Sequence, residues 1–144
     1  MALQLTHIAL HVDKLEDCIA FYRNYCDLVV VHERPHKLGR IVWMASPGHE
    51  EEIVMVIIPG GRLRKQPDDD FSHLGFAVEK ERQVDEIADR AEEEKCLLWK
   101  PRREPFPVGY YCGVYDPDGN AVEFSYGQPL GPGAQDFLSS CGLL

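Results

Sequence analysis

An internal repeat restricts how this chain can fold more than any other feature of it. Setting residues 5–14, LTHIALHVDK, over residues 71–80, FSHLGFAVEK, pairs identical residues at His7/His73, Val12/Val78 and Lys14/Lys80. Six further pairs keep their chemical type, namely Leu5/Phe71, Thr6/Ser72, Ile8/Leu74, Ala9/Gly75, Leu10/Phe76 and Asp13/Glu79, and only His11/Ala77 breaks the pattern. The copies start at residues 5 and 71, close to half of 144 residues apart, so the fold must be one that two similar half-chains can build.

The segments downstream of the two copies are also parallel. After the first, Leu15, Cys18, Ile19, Tyr22 and Cys26 recur at helical spacing. After the second, Val84, Ile87, Ala88, Ala91 and Cys96 roughly do so, with Glu92, Glu93 and Glu94 on the wet side. Three more strand candidates complete each half: residues 28–34, 40–45 and 52–58, then 96–100, 109–115 and 120–126, the last two joined by the turn DPDGN. The expected architecture is α+β: a βαβββ module over 5–58, a Gly-, Pro- and charge-rich linker over 59–70, a second module over 71–126, and an irregular tail over 127–144. At this length the two modules form one domain, 1–144, or two tightly packed halves.

Composition narrows the partners. With 44% hydrophobic and 27% charged residues the chain has ordinary globular usage. Its longest aliphatic run, Ile53 to Ile58, is six residues, against about 20 for a bilayer span, so no membrane partner is expected. The start, MALQLTHIAL, lacks a basic leader and a small-residue cleavage pattern, and the default location is the cytoplasm. Five cysteines without a C-x-x-C read as reduced thiols rather than a disulfide framework or zinc knuckle. A net charge of -9 is a poor surface for polyanions, so nucleic acid is not an expected partner.

Matched positions in a duplicated sheet that curls around a groove can face each other, which makes His7 and His73 a candidate chelating pair. Glu123 lies within AVEFSY, a stretch suited to a half-buried strand, where a lone carboxylate is costly unless paired or metal-bound. Two imidazoles and one carboxylate form the facial set that suits Fe(II) or Mn(II), with Zn(II) and Ni(II) also acceptable. His11 shares a face with His7, but four strand residues separate them by about 13 Å, so it cannot ligate the same ion and is a candidate acid–base group instead. Trp43, Trp99, Phe106 and Tyr110 are candidate pocket walls. Singly, each of these residues also suits a plain structural role.

THIALHV followed by a helix with AFYRN, then SHLGFAV, then YDPDGNAVEF, resembles the vicinal oxygen chelate superfamily, which includes glyoxalase I, extradiol dioxygenases, fosfomycin-modifying thiol transferases and bleomycin-binding proteins. The resemblance covers residues 5–126. It implies two βαβββ modules forming an open barrel-like cup around a divalent metal, often within a homodimer, with His7, His73 and Glu123 as ligands and a small molecule as substrate. The glyoxalase I glutamate that shuttles a proton would fall near Val56, in a strand without an acid; Val56 is then a substrate-contacting position. Extradiol enzymes use a tyrosine ten residues before the glutamate, which here is Gly113, with Tyr111 and Tyr115 flanking it on the same face. Ala9 stands where the fosfomycin transferases have threonine. The resemblance therefore favours dioxygenase-like chemistry aided by Tyr111 or His11, with Trp43, Val56 and Tyr110 around the substrate. The other readings are a metal-dependent lyase or thiol transferase, and a non-catalytic ligand-sequestering protein.

Overall fold

Each half of the chain places its first strand beside its last. The structure, a computed structural model that describes residues 1–142, runs β1 (His7–Val12), α1 (Leu15–Cys26), β2 (Val29–His36), β3 (Gly39–Ala45), β4 (Val54–Pro59), β5 (Leu74–Ala77), α2 (Glu81–Glu93), β6 (Leu97–Glu104), β7 (Gly109–Tyr115), β8 (Ala121–Tyr126) and α3 (Ala134–Ser140). Two open four-stranded sheets result, ordered β1-β4-β3-β2 and β5-β8-β7-β6. In both, the first strand pairs parallel with the last and the remaining pairs are antiparallel. The βαβββ reading of both halves and the α+β class therefore hold. The chain divides into two compact units, residues 1–65 with 117–119, and residues 66–116 with Asn120 onward.

In the first unit, α1 buries Cys18, Ile19, Phe21 and Tyr22 and packs on β4. Its N-terminus has no side-chain cap from Lys14. Asp118 instead fixes the two residues that lead into it: its two carboxylate oxygens accept from the backbone N–H groups of Asp13 and Lys14, each at 2.8 Å. The turn that carries Asp118 is tied to the same unit by Arg64 N–H donating to the Asp118 carbonyl at 2.7 Å. Gly119 makes that approach possible, since it has φ +88° and a Cβ there would sit 2.4 Å from the Arg64 carbonyl oxygen.

In the second unit, α2 starts with Gln83 accepting from the Lys80 N–H at 2.8 Å, half of a capping box. It buries Val84, Ala88 and Ala91 against β6, β7 and β8. The turn between β7 and β8 is locked by Asp116, which accepts from the Asn120 backbone and side-chain amides at 2.8 Å each. Where an irregular tail was expected, residues 134–140 form α3, anchored by Phe137 against Tyr126 with ring centroids 5.8 Å apart. Tertiary contact of this kind is what allows so short a helix. The last two tail residues, 143 and 144, lie outside the described residues. β6 also runs to Glu104 where a strand ending at residue 100 was expected, because pairing with β7 carries the polar Arg102–Glu104 stretch.

Among the described residues no disulfide joins any of the five cysteines, Cys18 and Cys112 are buried, and no helix is long and apolar enough to cross a membrane. Replacing Asp118 with alanine removes a buried carboxylate and its two bonds to the backbone leading into α1, and is expected to cost about 2–3 kcal/mol of stability, measured by urea unfolding with the slope unchanged.

Candidate metal centre

The second sheet divides its residues sharply between two faces. Cys112 donates its thiol to the Val84 carbonyl at 3.5 Å and is paired across strands with Phe124, so these residues face α2. By strand alternation Tyr111, Gly113 and Tyr115 of β7, and Ala121, Glu123 and Ser125 of β8, occupy the opposite face. Burial, reinforced by the negative charges of Asp85 and Glu123, pushes the Cys112 thiol up to about 12, which keeps it protonated and inert.

Glu123 is the centre of that opposite face. Its side chain is 8% accessible, and it is held in register between Gly75 of β5 and Gly113 of β7, two residues that contribute no side chain. His73, which immediately precedes β5, brings Nε2 to 3.3 Å from Glu123 Oε2. The other carboxylate oxygen, Oε1, accepts from Gln128 Nε2 at 3.1 Å. Burial pushes the Glu123 carboxyl above its ordinary 4.5, while the His73 imidazole and the Gln128 amide pull in the opposite direction.

The imidazole is oriented from behind. His73 Nδ1 lies 2.6 Å from the Phe71 carbonyl oxygen, which can only accept, so Nδ1 carries the proton and donates. In the neutral ring Nε2 then presents its lone pair to the Glu123 carboxylate, an arrangement that calls for a proton or a cation between the two. A carbonyl-oriented histidine beside a hydrogen-bonded carboxylate is the usual outer arrangement of metal-ligating groups. Two ligands each about 2.1 Å from an ion, at right angles, stand about 3 Å apart, so the observed spacing fits a divalent ion. Next to Glu123, Ser125 is 1% exposed and its hydroxyl has no hydrogen-bond partner among the described residues.

In the first unit, His7 is exposed on β1, with Nδ1 3.0 Å from Thr6 Oγ1. The register sets Ala9 beside Val56, and Val56 beside Trp43, so these three form a row on the face that also bears His7 and His11. Trp43 packs at 5.1 Å from the His32 ring and beneath the Arg34 guanidinium at 5.8 Å. Among the described residues no three His, Cys, Asp or Glu side chains gather closely enough to hold an ion; the assembled part is the His73–Glu123 pair.

Tyr111 shares the Glu123 face, with the Arg102 guanidinium 5.4 Å over its ring. Tyr110 does not. It lies on the helix-bearing face, where its hydroxyl donates to Asp85 of α2 at 2.7 Å and is pushed up to about 12, chiefly by that bond. Strand alternation removes it from the group of substrate-facing candidates. Gln128 escaped the sequence reading because it lies past the last strand, and the turn at Gly127, φ +93°, returns it to the carboxylate.

The chain belongs to the Glyoxalase/Bleomycin resistance protein/Dioxygenase superfamily, whose family model matches residues 4–124. It is 57% identical over 135 residues to the uncharacterized protein PA2024 of Pseudomonas aeruginosa, covering 94% of this chain and 96% of that one. Among solved structures it is similar to the fosfomycin resistance protein FosX from Listeria monocytogenes, complexed with Mn(II) and 1S,2S-dihydroxypropylphosphonic acid, at 21% identity, TM-score 0.69, and 89% and 95% coverage of the two chains. It is also similar to lactoylglutathione lyase from Agrobacterium tumefaciens, at 23% identity, TM-score 0.62, and 90% and 98% coverage.

A buried carboxyl with a raised folded-state value stabilises the fold below the ordinary carboxylate range and loses that contribution as pH rises through the raised value. In chelator, Glu123→Gln is therefore expected to melt higher than the native protein, by a margin that widens as pH rises from about 4.5 towards neutrality, read by thermal melts at several pH values.

Proposed function

We propose that the protein is a divalent-metal-dependent enzyme acting on a small organic molecule whose oxygen atoms coordinate the ion directly, with dioxygenase-like chemistry. The observation that carries this reading is the lone pair of His73 Nε2 set 3.3 Å from a buried carboxylate, with Nδ1 already committed to a carbonyl. His7, the counterpart of His73 in the repeat, is the third ligand. Fe(II) or Mn(II) is favoured for two imidazoles and a carboxylate, with Zn(II) and Ni(II) as alternatives; a solved structure of the same fold that holds Mn(II) supports a divalent ion.

Held by His73, Glu123 and His7, such an ion would supply Lewis-acid polarisation of the substrate oxygens. The chain's own groups orient and protonate. Gln128 fixes the Glu123 carboxylate, and the unpartnered Ser125 hydroxyl offers a hydrogen bond to a polar substrate atom. Tyr111 or His11 is the proton carrier, and Trp43 with Val56 forms an apolar wall. No acid lies in β4, VMVIIP, so isomerisation of a hemithioacetal loses its best candidate for a base, which favours dioxygenase-like over lyase chemistry. A metal-dependent lyase or thiol transferase is the second reading, and the likeness to lactoylglutathione lyase supports its lyase branch. The working form is a homodimer.

The test is metal content and oxygen uptake. The native protein is expected to hold about one divalent ion per site after incubation with Fe(II) or Mn(II), with His7→Ala, His73→Ala and Glu123→Ala each losing it. Gln128→Ala is expected to keep the ion but with affinity lowered roughly 10- to 100-fold, read by competition with a chromophoric chelator. Oxygen consumption on mixing the Fe(II) form with catechol-type compounds separates the dioxygenase reading from the others; its absence across a broad panel would favour lyase or transferase chemistry.

A further inference from the structure

Trp99 sits on β6 between two irregularities of the second sheet, one where the β6–β7 register shifts between Leu97 and Trp99 and another between Trp99 and Arg102. Such shifts bend a strand and re-aim the side chain between them. Trp99 lies opposite Gly113. A Cβ on Gly113 would fall 2.3 Å from Cε3 and 2.7 Å from Cδ2 of the indole, so the ring fills the volume that any other side chain at 113 would need. Gly113 has no positive φ; its requirement is space alone.

Gly113 is also the register partner of Glu123, and neighbours across a strand pair on one face stand about 5 Å apart. The indole is thus laid beside the carboxylate. Its ring centroid is 5.7 Å from that of His73, at 88°, and Phe71 and Tyr111 extend the aromatic group at 6.3 and 6.4 Å. None of this belongs to the helix–sheet core, since it occupies the face away from α2. Trp99 is half-buried, and beyond it lies a cleft of about 240 Å³ whose other walls are Leu98, Tyr115 and the Gln66, Pro67, Asp68 and Asp70 stretch, so the indole stands between that cleft and the His73–Glu123 pair.

We infer that Trp99 is a specificity-determining wall of the His73–Glu123 centre, held in place by the missing side chain of Gly113, and that it selects substrates carrying a flat unsaturated or aromatic group next to their chelating oxygens. This inference rests on the metal-centre reading above. An edge or face contact with an indole favours a planar ring over a ring-free chelator of similar charge, by roughly threefold to tenfold.

The test uses the full-length Trp43→Phe protein, in which Trp99 is the remaining one of two tryptophans. Co(II) alone is titrated while bound metal is followed by equilibrium dialysis and Trp99 emission by fluorescence. Emission is expected to be quenched in step with binding. The Co(II) form of the protein with Trp43 intact is then titrated with catechol and with oxalate, followed by the Co(II) absorption bands. Adding Trp99→Leu is expected to weaken catechol by roughly threefold to tenfold while oxalate changes by less than about twofold. Adding Gly113→Ala is expected to shift Trp99 emission in the Trp43→Phe protein and weaken catechol in the same sense. Stoichiometric Co(II) binding without quenching overturns the inference and leaves the metal centre standing, as does equal change, or none, for the two chelators in Trp99→Leu. Absence of Co(II) binding overturns both. The quenching measurement needs neither Trp99→Leu nor Gly113→Ala to fold.

Discussion

Parallel pairing of the first strand with the last is the constraint on which each unit depends. A parallel pair cannot be closed by a tight turn and needs a long crossover, here a helix and two strands, and the helix must pack on one side of the sheet. Once α2 covers the side bearing Cys112 and Phe124, alternation leaves the other side to Glu123, Ser125, Gly113 and Tyr111. The β5–β8 register then sets Gly75 against Glu123, and His73, two residues upstream of Gly75, arrives at the carboxylate. The position of the His73–Glu123 pair follows from backbone pairing before any side chain makes a choice.

That pair is held against its own energetics. Burial disfavours the Glu123 carboxylate, and the two glycines flanking it in register add no polar partner. What keeps it in place is peripheral: the Gln128 amide on one oxygen, the imidazole on the other, and a backbone carbonyl fixing the imidazole from behind. Groups kept in a costly arrangement by their surroundings are typical of binding and reactive sites. The same glycine that isolates Glu123 on its β7 side also makes room for an indole, so emptiness at position 113 has two effects.

Much of this was legible in the sequence, for identifiable reasons. The repeat gave both modules their strand–helix order, and period-two alternation put Glu123 with Ser125 and Tyr111 with Gly113 on shared faces. Alternation also separates Tyr110 from Tyr111, which the grouping of aromatic residues as pocket walls passed over; its hydroxyl goes to Asp85. Other features depend on events that local pattern does not encode. The two register shifts around Trp99 break the alternation that a strand reading relies on. Gln128 reaches Glu123 only through a left-handed turn beyond the last strand. α3 depends on Phe137 meeting Tyr126, a contact made by the fold rather than by helical periodicity.

The repeat is not symmetric in what each helix requires. α2 starts with a partner from its own first turn, Gln83, whereas α1 takes its start from Asp118, which is encoded more than a hundred residues downstream of Lys14. Dividing the present gene at its midpoint would therefore strip the first half of the carboxylate that holds the entry to its helix, while the second half would keep the glutamine that starts its own.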